Sequence, residues 1–316
     1  MKARRILTGL SIFVLLFLLL PYFFPAQADG VDPGTLADAQ GRFLTVNEMR
    51  IYVREDGPED GPALLLLHGL LGSTEVWRYN REALAAAGYR VIAFDRPPFG
   101  LSDKRPELDY SPAAQADLTA ALLDELGIEQ AVLIGHSAGG NVASHFALRY
   151  PERLRGLVLV SAAVGFGGPP PFLGALLSFD PLARWGRIGL RTFFTRERME
   201  ESIAGLQDDP SFLGSDDFEA YWRSFRAFGW DAGFIALTRD GGQSPLDIDD
   251  LRQVSVPVLL LHGTRDRVVP LENSEALAER FPNVTFTRLE RLGHQPMEEA
   301  PAIFNAILLE WLDTLE

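Results

Sequence analysis

The residue best placed to do chemistry is a serine between two glycines, in Gly135-His136-Ser137-Ala138-Gly139. A serine hydroxyl is a poor nucleophile at its free pKa and needs a base, itself oriented by an acid, before it can attack a carbonyl. Ala131 to Ile134 before it are apolar and mostly branched, as a buried strand requires, and Asn141 to Leu148 after it form an amphipathic helical pattern. A strand-to-helix turn of this kind is a nucleophile elbow. Gly135 and Gly139 let strand and helix approach closely while Ser137 projects its hydroxyl. The Ala138 N–H, opening the helix, points to where an oxyanion would form. Alone, the motif also fits an ordinary turn with a capping serine. An acid and a histidine at suitable places decide between the two.

Elements of one rhythm must position that serine. Phe43 to Val46 and Met49 to Val53 read as a hairpin turning at Asn47-Glu48. Ala63 to Leu67 is an apolar strand without alternation, suited to burial on both faces, and ends in His68-Gly69. Ser73 offers an N-cap to the helix that follows. Val91 to Asp95 is the next strand, Ser111-Pro112 opens a helix to about Leu126, and Leu157 to Val160 is the strand after the elbow. The rhythm stops near Ala162 and resumes at Val256 to Gly263. The interval is helical and aromatic, with too much apolar surface to stay solvated as a linker. A helix over 270–281, a strand over 284–289 and an amphipathic helix from Glu298 to Leu315 complete the chain. The fold class this implies is α/β: a mostly parallel central sheet, helices on both faces and a helical insertion.

The domain plan is therefore a core over 41–161 and 251–316, a helical cap over 162–250, and a linker over 29–40. Residues 1–28 are a targeting segment. Lys2, Arg4 and Arg5 precede an apolar run from Ile6 to Phe24, roughly 28 Å long as a helix and close to the hydrocarbon thickness of a bilayer. Its positive end should stay in the cytoplasm, which exports the rest. The length of the run favours a retained membrane anchor. The small-x-small form of Ala26-Gln27-Ala28 keeps cleavage after Ala28, as a signal peptide giving a secreted or periplasmic product, as the alternative.

Composition excludes several functions. Acidic residues outnumber basic ones by 43 to 29, for a formal charge of −14, which repels phosphate backbones and argues against nucleic acid as a partner. With no cysteine there are no disulfides, no thiolate metal sites and no cysteine nucleophile. His68, His136, His145, His262 and His294 show no metal-binding spacing, so neither metal nor cofactor is expected. His68 and His262 read as packing or supporting residues at strand ends, His136 as structural, His145 as packed or solvated, and Asp103-Lys104 as a solvated pair.

Ser137, Asp266 and His294 follow one another, each at or just beyond the C-terminal end of an expected strand, where an open parallel sheet gathers distant residues into one crevice. This arrangement resembles the α/β-hydrolase superfamily, whose triad runs nucleophile, acid, histidine. The resemblance spans about Gly41 to the C-terminus. It implies that Ser137 is the nucleophile and His294 the base, and that Asp266 orients the base. Glu290 is a rival acid, but it lies too near His294 for the family pattern. The oxyanion hole would be the N–H groups of Leu70 and Ala138. Asp95 to Ser102 resembles the family's Asp-Arg-Pro-Gly-Phe-Gly-x-Ser, with Pro98 at the usual glycine.

A serine nucleophile argues against epoxide hydrolases and haloalkane dehalogenases, which use aspartate there. The leading expectation is hydrolysis of a carboxylic ester of an apolar small molecule. A meta-cleavage-type carbon–carbon hydrolase, which uses the same triad, is the alternative within the fold. A non-catalytic ligand-binding protein is the alternative outside enzymes.

Overall fold

A computed structural model describes residues 2–24, 30–166 and 168–315. An apolar helix α1 (Lys2–Leu19) runs into a 3-10 turn (Leu20–Phe23), and a short helix α2 (Pro33–Leu36) precedes the hairpin β1 (Gly41–Val46) and β2 (Met49–Asp56). There follow β3 (Ala63–Leu67), α3 (Arg81–Ala86), β4 (Arg90–Phe94), α4 (Pro112–Glu125), β5 (Ala131–His136), α5 (Ala138–Arg149) and β6 (Leu154–Val160). Helices α6 (Pro171–Leu177), α7 (Asp180–Phe193), α8 (Arg196–Gly205), α9 (Ser215–Arg226) and α10 (Trp230–Asp240) intervene before β7 (Val258–Gly263). The chain closes with α11 (Leu271–Ala278), β8 (Val284–Leu289), α12 (Pro296–Glu299) and α13 (Pro301–Leu312).

The eight strands form one sheet in the order β1-β2-β4-β3-β5-β6-β7-β8. Only the hairpin is antiparallel: β1 to β2, and β2 to β4. All pairings from β4–β3 to β7–β8 are parallel. Because successive side chains of a strand point to opposite faces, the leucine-rich strands feed two cores at once. Leu65, Leu67, Leu133, Leu157, Leu159 and Leu260 pack with α4 and α5 through residues such as Leu122 and Phe146. Their neighbours Leu64, Leu66, Val132, Ile134, Val158 and Leu261 pack on the other face with Trp77, Leu84, Phe304 and Trp311. Each such side chain removed from water contributes about 1.5–3 kcal/mol, so any one-residue slip of a central strand would misplace a whole row.

Several elements depart from the sequence reading. Ser73 does cap, its Oγ accepting from Glu75 N at 3.3 Å, but only a 3-10 turn over Thr74–Trp77 follows. The expected helix over 298–315 is split at Ala300 (φ −140°, ψ 63°), because Pro301 lacks an N–H and its ring bars the helical conformation in the residue before it. Residues 30–40, expected to be a linker, dock on the domain. Val31 N donates to Arg226 O at 2.8 Å and Val31 O accepts from Phe228 N at 2.9 Å. Asp38 binds Arg54 at 2.7 Å and Arg223 at 3.0 Å. Opposite charges supplied by β2 and α9 thus fix a polar stretch that composition alone marks as loose. Ala26-Gln27-Ala28 lies outside the described residues.

Among the described residues one helical stretch, Arg4–Phe23, is long and apolar enough to cross a membrane, and little of it is buried. Its last turns touch α7: Trp185 Nε1 donates to Phe17 O at 2.9 Å and stacks on the Phe17 ring at 5.5 Å. The insertion has a small aromatic core of its own, Phe194, Phe225 and Trp230, with centroids 4.6 to 5.4 Å apart. Phe172, Phe179 and Phe193, by contrast, are at least half exposed.

Helix α7 is tied to α10 by Arg187 and Arg191, each donating from Nε to Asp231 Oδ2 at 2.8 Å. Burial raises the Asp231 carboxyl, but the hydrogen bonds from Arg191 and Arg187 outweigh it and hold the group below its ordinary value. Asp231→Ala should therefore cost about 2 kcal/mol, much of it local to the insertion. Limited proteolysis should cut faster within 171–193 than in the unaltered protein, while the rest of the chain stays protected.

Candidate active site

Ser137 stands between β5 and α5 in a conformation (φ 52°, ψ −121°) that a side-chain-bearing residue rarely adopts. Two contacts impose it. A Cβ on Gly139 would lie 2.4 Å from Leu67 O and 2.5 Å from His68 O, so the first turn of α5 sits directly on the end of β3. A Cβ on Gly135 would lie 2.6 Å from Gly139 O. Neighbouring main chain then holds the turn: Ser137 N donates to Val160 O at 2.9 Å, and Ser137 O accepts from Gly140 N and Ala163 N at 2.9 and 3.1 Å.

Asp266 occupies the turn after β7. Its Oδ1 accepts from Val268 N and Val269 N at 2.8 and 3.0 Å, and Oδ2 lies 2.8 Å from His294 Nδ1. His262 Nε2 stands 3.3 Å from the same oxygen, while His262 Nδ1 meets Ser274 Oγ at 2.7 Å. Burial raises the Asp266 carboxyl, but hydrogen bonds from His262 and His294 and from the turn hold it far below the usual carboxylate range. His262 is thus a direct support of Asp266. Glu290, the rival acid, takes a 3.4 Å bond from Thr264 Oγ1 on the surface.

His294 is held by its own main chain, with N donating to Leu206 O at 2.7 Å. The Nδ1 contact to Asp266 leaves Nε2 as the nitrogen with a free lone pair. Neither His294 Nε2 nor Ser137 Oγ has a hydrogen-bonding partner among the described residues. The two residues are neighbours through His136, whose ring lies 4.8 Å from that of His294 and whose Nε2 is 2.9 Å from His294 O. Burial, helped by the nearby His294, lowers His136 to about 3, so it stays neutral. Bonds between a nucleophile and its base are often long until substrate arrives.

The Leu70 loop lies against the serine: a Cβ on Gly69 would meet Ser137 Cβ at 3.1 Å. The amides of Leu70 and Ala138 donate to no protein acceptor among the described residues. His68 fixes this loop, with Nδ1 to Gly69 O at 2.8 Å and Nε2 accepting from Arg96 N at 2.9 Å. Burial and the Arg96 charge push His68 well below its ordinary value, which keeps Nε2 an acceptor. Among the described residues no group of three or more His, Asp or Glu side chains is arranged to hold a metal ion.

Two features escape sequence reasoning. Lys104 is buried, donating to Ser102 O at 2.7 Å, and Asp103 pairs with Arg105 at 2.9 Å, so the two are not a solvated pair. A buried cluster also joins α9 to the His294 loop. Tyr221 and Arg78 both donate to Glu298, Arg78 also bridges to Asp217 at 2.8 Å, and Gln295 Nε2 donates to Tyr221 Oη at 2.8 Å. Burial pushes Glu298 up to about 7 against the pull of Arg78.

Comparison with known proteins gives the family of the fold. The family model for the alpha/beta hydrolase fold matches residues 62–301. The chain belongs to that family. A 2-hydroxy-6-oxononadienedioate/2-hydroxy-6-oxononatrienedioate hydrolase of Paraburkholderia phymatum is 32% identical, over 84% of this chain and 91% of its own. The thermophilic esterase of Thermogutta terrifontis superposes with a TM-score of 0.72 at 28% identity, over 88% of this chain and 99% of its own. A membrane phospholipase A matches in fold over 99% of both chains, with a TM-score of 0.71 and 24% identity.

For this alpha/beta hydrolase the elbow contacts give a direct expectation. Gly139→Ala places a methyl against the main-chain oxygens of Leu67 and His68 at the end of β3 and should destabilise by about 1–3 kcal/mol, seen as a lower Tm. Asp266, depressed in the folded state, contributes stability that is complete above about pH 5, begins to fall near its unfolded value of about 3.9 and is lost progressively as pH drops towards its far lower folded value. Asp266→Asn should therefore flatten the decline of Tm below pH 5, and an unchanged slope would contradict the carboxylate's assigned environment.

Proposed function

We propose that the chain is a serine hydrolase that cleaves a carboxylic ester of an apolar small molecule through an acyl-enzyme. The observation that carries this reading is the buried Asp266–His294 contact of 2.8 Å beside the strained Ser137 turn. Ser137 Oγ attacks the carbonyl carbon as His294 Nε2 takes its proton, and Asp266 stabilises the imidazolium that results. The Leu70 and Ala138 amides receive the oxyanion, each worth about 3 kcal/mol in such sites. Collapse of the intermediate expels the alcohol, which takes the proton from His294 and leaves Ser137 acylated. Water then enters by the same route and releases the acid.

Helices α6 to α10 act in this reading as a cap over the strand ends. Supporting it, the insertion supplies Leu206 O to His294 N and Tyr221 to Gln295 and Glu298. Apolar side chains of Leu71, Phe99, Phe225, Trp230 and Phe234 meet beside the Leu70 loop around a gap of only about 10 Å³, so an acyl chain enters by parting cap from core. The exposed apolar helix α1, with Arg4 and Arg5 at its start, supports an anchor that holds the catalytic domain outside the cytoplasm.

The test is hydrolysis of a p-nitrophenyl ester series by the full chain in non-ionic detergent, beside Ser137→Ala. The reading predicts activity on apolar acyl groups, an optimum beyond acetyl, and a loss of at least about 10³-fold in the variant. Asp266→Asn should lose about 10⁴-fold in kcat. A second reading, carbon–carbon bond hydrolysis, has support from the name of the 32% identical relative. Turnover of a 2-hydroxy-6-oxo-dienoate exceeding that of every ester would select it, and no turnover of either class would leave a ligand-binding role.

A further inference from the structure

A second cavity, of about 760 Å³, is not lined by Ser137 and lies between α7, α10, the loop after β4, the start of β2 and residue 33, sharing Lys104 with the small apolar gap beside the Leu70 loop. Its charged lining consists of Arg50, Lys104, Arg105, Arg184, Arg187 and Asp103, five cationic groups against one acid. In a chain of net charge −14 this is a local reversal of the surrounding field. Part of that charge is already balanced: Arg105 by Asp103, Arg184 by Asp180 at 2.9 Å and Arg187 by Asp231 at 2.8 Å.

Two of the cations are not balanced in this way. Lys104 is 7% exposed, and its ammonium donates to Ser102 O at 2.7 Å, with no carboxylate within 4.0 Å among the described residues. An ammonium has three donors, and a buried charge without a direct counter-ion is costly. Asp95 and Asp103 act on it only at longer range, and Asp95 spends its two oxygens on Thr74 N and Leu101 N, each at 2.6 Å. Arg50 lies 3.6 Å over the Phe43 ring, likewise with no carboxylate within 4.0 Å among the described residues.

Position narrows the ligand. Arg184, on the cavity wall, also sits 4.3 Å over the Tyr22 ring, at the end of the apolar N-terminal stretch. Arg184 and Arg187 are shared with a small adjoining gap lined by Pro21 and Phe24. The cavity therefore adjoins the point where the N-terminal helix leaves its apolar run, the level at which lipid headgroups lie if that helix spans a bilayer.

We propose that this cavity binds an anionic phosphate group, held chiefly by Lys104 and Arg50. The shared chemistry is a phosphate, from a lipid headgroup or free in solution. The lipid source rests on the anchor proposed above, and the anion site does not.

The test uses the full chain in dodecyl maltoside micelles and three probes: a non-hydrolysable dialkyl-ether phosphatidylglycerol, inorganic phosphate, and the dialkylglycerol without phosphate. Affinity is read by calorimetric titration and Tm by intrinsic fluorescence. The ether phosphatidylglycerol should bind and raise Tm, the dialkylglycerol should do neither, and Arg50→Gln/Lys104→Gln should weaken binding at least about tenfold. Inorganic phosphate binding with the same sensitivity to the variant identifies free phosphate as a ligand; lipid binding without it identifies the headgroup. Absence of binding by both phosphate probes, equal binding of the dialkylglycerol, or an unchanged affinity in the variant overturns the proposal. Arg50→Gln alone, at an exposed position, should lose a smaller factor with an unaltered circular dichroism spectrum. It keeps the test decisive if burial of a neutral residue at 104 impairs folding. Because no probe is an ester substrate, a failure here is distinct from a failure of ester hydrolysis.

Discussion

The first turn of α5 is pressed against the end of β3, with no room for a side chain at Gly139 or at Gly135. That approach depends on two parallel, fully buried strands lying side by side, which in turn depends on apolar segments that can be covered on both faces. Once strand and helix are so close, Ser137 is forced into a positive φ, its hydroxyl is turned outward, and the Ala138 amide is left without a helical partner. The Leu70 loop comes from the same β3 end, so serine and both proposed oxyanion donors share one packing constraint. Asp266 and His294 arrive independently, on the ends of β7 and β8, and meet because the sheet is parallel there.

Much of this was legible in the sequence because its causes are local. Unbroken apolar runs mark β3, β5 and β7. Glycine at two fixed offsets from Ser137 marks the close approach. Strand ends in a parallel sheet converge, so the order Ser137, Asp266, His294 is enough to bring the last two into contact. Ser111 before Pro112 marks a helix start, and its Oγ does accept from Ala114 N at 3.3 Å.

What was not legible is long-range and electrostatic. No local pattern joins Arg78, Asp217, Tyr221 and Glu298 into a cluster, and only the fold brings Arg78 to Glu298. A charged residue is buried when its partner is built nearby, and no local pattern announces a partner more than a hundred residues away. The same holds for Asp38 with Arg223, which turns an apparent linker into a docked segment. Ala300 is a different failure: the amphipathic pattern continues through it, and Pro301 overrides the pattern by stereochemistry alone. The buried charges also give the insertion a specific seat, since Tyr221 and Asp217 on α9 engage the core elements that carry Arg78 and Glu298.

The central claim is that Ser137 is the activated nucleophile, with His294 as its base. The most direct measurement is peptide mapping by mass spectrometry after the full chain is treated with a fluorophosphonate, beside the same treatment of His294→Ala. The account predicts one phosphonyl adduct, on Ser137, formed rapidly in the native chain and at least about a hundredfold more slowly in the variant. No adduct, an adduct on another residue, or equal rates in both proteins would contradict it.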